Sequence, residues 1–206
     1  SITQNFPKHQ FAWKVLGAVL GLTGRKSEAV DANQTAVTLS PQDPAAHSNL
    51  GITLNELGRL EEAEASLRQA IALKPNFAEA HSNLGITLHE SGRLEEAEAS
   101  LRQAIALNAD YAEAHSNLGD TLKELGRLND AEASYKRAIV LNADYPETHS
   151  NLGVTLKELG RLEEAEASLR QAIALKPDYA EAYSNLGITL HELGRLDEAE
   201  ASYLQA

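Results

Sequence analysis

One stretch repeats along almost the whole chain at a fixed interval. Ala78–Tyr111 reads AEAHSNLGITLHESGRLEEAEASLRQAIALNADY. Moved by whole periods, it lands on Pro44–Phe77, on Ala112–Tyr145, on Pro146–Tyr179 and on the shorter Ala180–Ala206. His47, His81, His115, His149 and Tyr183 mark one slot, and successive members are 34 residues apart. A period of this length is the mark of a stacked array, in which one small unit cannot bury its apolar surface alone and neighbours complete the core. That constrains the architecture far more tightly than the length of 206 residues, which by itself would suggest one or two globular domains.

Within Pro44–Phe77, Ala46, Leu50, Leu54 and Leu57 fall on one face of a helix, and Leu60, Ala63, Leu67, Ala70 and Ile71 write a second apolar stripe. Pro44 suits a first helical turn and Asp43 a cap in front of it. Gly58 supplies a left-handed stop, and Pro75 closes the unit, as Pro177 does later. Glu61, Glu62 and Glu64 crowd the start of the second helix and Lys74 stands at its end, both favourable to the helix dipole. Glu64 and Arg68 form an i,i+4 pair. Gly51 with Ala63, and Gly85 with Ala97, sit where two helices should approach closely. Each unit is therefore expected to be a helix, a tight turn, a second helix and a short loop.

These residues resemble the tetratricopeptide repeat family. Its slots for a large residue, Leu-Gly, an aromatic, Gly, Ala, an aromatic and Ala are held here by His81, Leu84, Gly85, Leu88, Gly92, Ala97, Leu101 and Ala104, with the closing Pro at Pro75 and Pro177. His stands for the usual Trp, Leu for both aromatics, and Ala109 and Ala143 for the Pro. The resemblance implies an all-α, right-handed superhelical solenoid of antiparallel helix pairs. Residues 1–9 read as the tail of a preceding repeat, 10–43 as a degenerate repeat, 44–77, 78–111, 112–145 and 146–179 as near-identical copies, and 180–206 as a truncated one. Both ends look cut, Ala206 falling in the slot of Ala172, so a piece of a longer protein is expected.

In the degenerate repeat Trp13, Leu16, Gly17, Leu20, Gly24, Ala29, Ala36 and Pro41 keep the register, but Asn33 occupies the slot of Leu67. Phe11–Leu22 is too short for a membrane span, which needs about 20 apolar residues, and carries Lys14. It reads as the first helix of that repeat. Its outward residues Phe11, Val15, Ala18 and Leu22 are apolar where later copies are polar, and a preceding segment or a partner is expected to cover them.

The functional candidate is the outward stripe of each first helix. Asn49, Asn83, Asn117, Asn151 and Asn185 recur at one position, flanked by Glu56, Glu90, Glu124, Glu158 and Glu192. A carboxamide both donates and accepts, so a row of them suits an extended peptide backbone. The motif AHSNL is similar to bacterial tetratricopeptide arrays and to the tetratricopeptide region of O-linked N-acetylglucosamine transferases, in which an Asn ladder lines a concave groove and binds substrate peptide. That resemblance implies the same role for the five Asn residues, and a segment that presents substrate for a larger enzyme.

The remaining motifs point away from other chemistries. Eighteen Lys and Arg stand against 30 Asp and Glu, a net charge of −12, which repels nucleic acid and favours a basic or neutral peptide or protein. There is no cysteine, hence neither disulfide nor thiolate chemistry. The carboxylate clamp of chaperone-binding tetratricopeptide domains fails, since Ala18, Glu79 and Asn83 stand where Asn and two basic residues are needed. The periodic His residues fill a packing slot rather than a metal site. HESGR at His89 and HELGR at His191 have Arg93 and Arg195 where a zinc protease needs its second His. GLTGRKS (21–27) has Arg25 between the Gly and Lys that a phosphate loop places together. No cofactor, no metal, no membrane contact and no catalysis by this segment are expected. The expected function is a scaffold that binds an extended peptide in a concave groove, located in the cytoplasm. The alternative is a structural assembly through head-to-tail stacking of solenoid ends, with homo-oligomers as its product.

Overall fold

The structure, a computed structural model, describes residues 9–206. It contains twelve helices and no strand among these residues: α1 Gln10–Leu22, α2 Lys26–Leu39, α3 Pro44–Asn55, α4 Leu60–Leu73, α5 Ala78–Glu90, α6 Leu94–Leu107, α7 Ala112–Glu124, α8 Leu128–Leu141, α9 Pro146–Glu158, α10 Leu162–Leu175, α11 Ala180–Glu192 and α12 Leu196–Tyr203. Apart from His9, the segment read as the tail of an earlier repeat lies outside the described residues. The chain divides into two compact units, 1–109 and 110–206. In each, successive helices pair α1 with α2, α3 with α4, α5 with α6, and α7 with α8, α9 with α10, α11 with α12.

Local chemistry explains the pairs. Asp43 caps α3, its Oδ1 accepting from the Ala45 N–H at 2.9 Å, and Pro44 occupies the first turn. Gly58 ends the first helix of that pair with φ +72°, a conformation that would cost an L side chain about 1–2 kcal/mol. Inside the pair Gly51 lets α4 approach. A Cβ there would stand 2.6 Å from Leu67 Cγ and 3.2 Å from the Ala63 carbonyl oxygen. Ser66 Oγ then donates to the His47 carbonyl at 2.9 Å and ties the second helix to the first, as Ser100 does to His81 at 3.0 Å.

Stacking completes the core. In the first unit Leu67 of α4 packs against Leu84 and Leu88 of α5 and Ala97 of α6, with Ile71 alongside. In the second, Leu169 of α10 does the same with Leu186, Leu190, Ala199 and Ile173. Each of these second helices thus serves its own pair and the next one.

An ionic clamp, which the repeat pattern alone did not reveal, runs along the same junctions. Arg93 Nη1 donates to Glu64 Oε2 at 2.7 Å while Arg68 Nε holds Glu64 Oε1 at 2.8 Å. Arg161 and Lys136 close on Glu132, both at 2.7 Å, and Arg195 and Arg170 on Glu166 at 2.5 and 2.9 Å. At Glu132 the Lys136 hydrogen bond is the largest influence and lowers the pKa; burial opposes it and Arg161 lowers it further. At Glu64 and Glu166 burial is the largest single influence and raises the pKa, but the paired arginines together outweigh it. All three carboxyls therefore sit below the ordinary carboxylate range. The unfolded chain takes up their protons first, so their stabilisation is complete above the unfolded value near ~4.3 and is lost as pH falls below it. The urea midpoint is expected to fall between pH 6 and pH 3, and to fall less in a Glu64→Gln/Glu132→Gln/Glu166→Gln variant. An identical pH response in that variant would refute the clamp.

Candidate functional site

In each unit the first helices of successive pairs touch one another, α1 with α3 and α3 with α5, then α7 with α9 and α9 with α11. Among the described residues the backbones of the second helices stay farther apart, and side chains bridge them, Leu67 to Ala97 and Arg170 Nη2 to Glu198 Oε2 at 3.3 Å. Helices that lie closer together belong to the inner side of a curved stack, so the first helices line the inner side of each unit. The predicted Asn and Glu positions all lie on these helices or their C-caps.

In the first unit Asn49 and Asn83 are half-buried, beside Ile52, which is exposed, and Ile86, which is partly buried. Thr53 Oγ donates to the Asn49 carbonyl at 2.7 Å, and Thr87 Oγ to that of Asn83 at 2.9 Å. These threonines are buried, so they occupy the backbone carbonyls from beneath and leave the asparagine side chains at the surface. Glu56 and Glu90 are exposed. Asn55 Nδ2 reaches from α3 to Glu90 Oε2 at 2.8 Å and Thr87 Oγ at 3.3 Å, which holds the Glu90 carboxylate in place.

The second unit is less uniform. Asn117, Asn151 and Asn185 are half-buried, and Glu124, Glu158 and Glu192 are exposed. Asp120 replaces the aliphatic residue of the other copies. Its Oδ1 accepts from Asn151 Nδ2 and from the Tyr135 hydroxyl, both at 2.7 Å. Burial, reinforced by the Asp120 charge, pushes the Tyr135 phenol well up, so the hydroxyl keeps its proton and donates. One of the two Asn151 amide N–H groups is therefore already committed. Asn117 Nδ2 is buried without a partner among the described residues. The row offers graded rather than identical positions. This node escaped a reading based on periodicity, although a signal existed: the one copy with Asp120 also carries Tyr135 in the slot of Leu67, Leu101 and Leu169.

The other motifs resolve as structure. His47, His81 and His149 each place Nε2 within 3.0–3.1 Å of the carbonyl six residues earlier, at Pro41, Pro75 and Ala143, stapling the loop that enters the helix. No group of three or more His, Asp or Glu side chains among the described residues could hold a metal ion. Arg93 and Arg195, which break the protease pattern, are members of the ionic clamp. Gly24 is a turn with φ +75°, and Lys26 opens α2. Lys14 pairs with Asp43 at 2.9 Å. No helix among the described residues is long and apolar enough to cross a membrane. Phe11, Val15, Ala18 and Leu22 are exposed.

The geometry defines a class first: arrays of stacked antiparallel helix pairs. The family model for the TPR (tetratricopeptide) repeat matches residues 53–92, 87–126, 119–160 and 155–194. The chain belongs to the tetratricopeptide repeat family, whose fold serves as a protein–protein interaction scaffold. Among solved structures, a thermophilic tetratricopeptide protein of Thermus thermophilus is 28% identical with a TM-score of 0.74, covering 89% of this chain and 100% of that one. MamA is 26% identical with a TM-score of 0.69 over 76% of this chain and 91% of its own. YrrB, a tetratricopeptide protein with an unusual peptide-binding site, is 23% identical with a TM-score of 0.68 over 85% and 91%. No curated protein matches the sequence.

Proposed function

We propose that the inner rows bind an extended peptide segment of a partner protein. The half-exposed Asn49 and Asn83 amides, raised above buried threonines and flanked by Glu56 and Glu90, carry this reading. Each amide can pair with a peptide N–H and C=O, and the carboxylates favour a basic or neutral peptide. In the second unit Asn185 and the exposed part of Asn117 serve the same role, with Asn151 held by Asp120. YrrB, which shares the fold, carries a peptide-binding site of its own.

A library of random peptides displayed on phage tests the reading. Panning against the full chain is expected to enrich basic and neutral sequences. An Asn49→Ala/Asn83→Ala variant should weaken the enriched peptides by about tenfold or more, each paired amide being a hydrogen bond of about 1 kcal/mol. Its melting temperature should be nearly unchanged, because both side chains face solvent. Unfolding of the variant would make the amides structural, and undiminished binding would place the peptide elsewhere. Mass growth with concentration in light scattering, indifferent to the same changes, would favour head-to-tail assembly instead.

A further inference from the structure

The first junction lacks a side chain that the second one has. Between α3 and α5, Asn55 fills the inner surface and donates to Thr87 and Glu90. One period earlier its slot is Gly21, where a Cβ would meet nothing within 4 Å among the described residues. Thr53 and Glu56 stand in the slots of Thr87 and Glu90, without that donor from α1. The result is a cavity of about 340 Å³ lined by Gly17, Gly21, Leu22, Asn33, Ile52 and Glu56, among others. Leu22 replaces the glutamate of the later copies and is almost fully exposed, giving the cavity an apolar rim.

The cavity also contains an unmet acceptor. Asn33 is 2% exposed and takes the slot that leucine holds at the next junction. Its Nδ2 donates to Thr53 Oγ at 2.8 Å, which fixes the amide's orientation. Its Oδ1 is buried, has no partner among the described residues and lies over Gly17, where any Cβ would collide with it. Glu56, at the mouth, forms a loose ion pair with Lys26 Nζ at 3.9 Å, and that Nζ donates to the Glu56 carbonyl at 3.2 Å, so the carboxylate oxygens themselves take no hydrogen bond from it.

We infer that this cavity is a pocket for one basic side chain, lysine or arginine, of the bound peptide. The alkyl stem lies on Leu22, Ile52 and the backbone of α1 left bare by its glycines. The cation replaces the missing Asn55-like donor, facing the Glu56 carboxylate and offering N–H groups to Asn33 Oδ1. The two features agree: an unpaired buried acceptor asks for a donor, and the carboxylate selects a charged one. The inference rests on the inner-row reading and adds to it a register, since it sets where along the first unit a basic residue must fall.

Peptides about ten residues long, of alternating serine and alanine with one central lysine, arginine, norleucine or glutamate, serve as probes in anisotropy titrations with the full chain. The lysine and arginine peptides are expected to bind about tenfold more tightly than the norleucine peptide, a charge-assisted bond to a carboxylate being the difference, and the glutamate peptide least tightly. Gly21→Asn, which restores the side chain of the next junction, should erase that preference, and Glu56→Gln should reduce it. Asn83→Ala, outside the pocket, should weaken every peptide by a similar factor and leave the preference intact. Equal binding of lysine and norleucine peptides, or a preference that survives both Gly21→Asn and Glu56→Gln, overturns the pocket while leaving the inner row standing. A preference that persists with no response to Asn83→Ala overturns the row and supports the pocket alone.

Discussion

Leu67→Ala is expected to lower stability by about 2–5 kcal/mol, the range for emptying a fully buried leucine site. Leu67 is wholly inaccessible and works in two directions. It fills the space above Gly51 within its own pair and packs against Leu84, Leu88 and Ala97 of the next. An array is stable through its units and the interfaces between them, so one truncation weakens both kinds of contact at once. Urea unfolding should show the loss, with hydrogen-exchange protection falling first in α3 to α6. Leu107→Ala, at a partly exposed position, should change stability by less than about 1 kcal/mol. Equal effects of the two changes would contradict the stacked core.

Asn33→Leu is expected to have a large effect of the opposite sign, a gain of about 1–3 kcal/mol, which is the desolvation cost of a buried unpaired polar atom. The amide stands where the next junction places leucine, and its Oδ1 has no partner among the described residues. Gly17 faces Asn33 as Gly51 faces Leu67, so the pocket shape already suits the replacement. Thr53 loses the Asn33 donor but keeps its own bond to the Asn49 carbonyl at 2.7 Å. The gain should appear as a higher urea midpoint. Unchanged or lower stability would mean that the amide is satisfied after all.

Why these effects are predictable differs between the fold and the site. Leu50, Gly51, Leu67 and their periodic equivalents announce helix pairs because the helical period and the repeat period agree over several copies. The Asp43 cap, the Gly58 stop and the odd placement of Asn33 in a leucine slot were legible for the same local reason. Placement of the Asn row on the first helices followed from the stripe. What each amide does there did not, because that depends on neighbours from other helices. Asn151 is held by Asp120, two pairs of helices are joined by Asn55 and Glu90, and Arg93 reaches Glu64 across a junction. Such contacts link residues about one period apart, where near-identical copies hide the informative differences. The exceptions, Gly21, Asn33, Asp120 and Tyr135, are the places where a copy departs from its siblings, and they are where the chemistry concentrates.

The most direct test follows the side-chain amide resonances of Asn49 and Asn83 by NMR while a panned peptide is added to saturation. Peptide held by these groups should shift both pairs of resonances along one binding curve and slow their exchange with water. A peptide that binds the full chain while both amides keep their free positions would contradict the account.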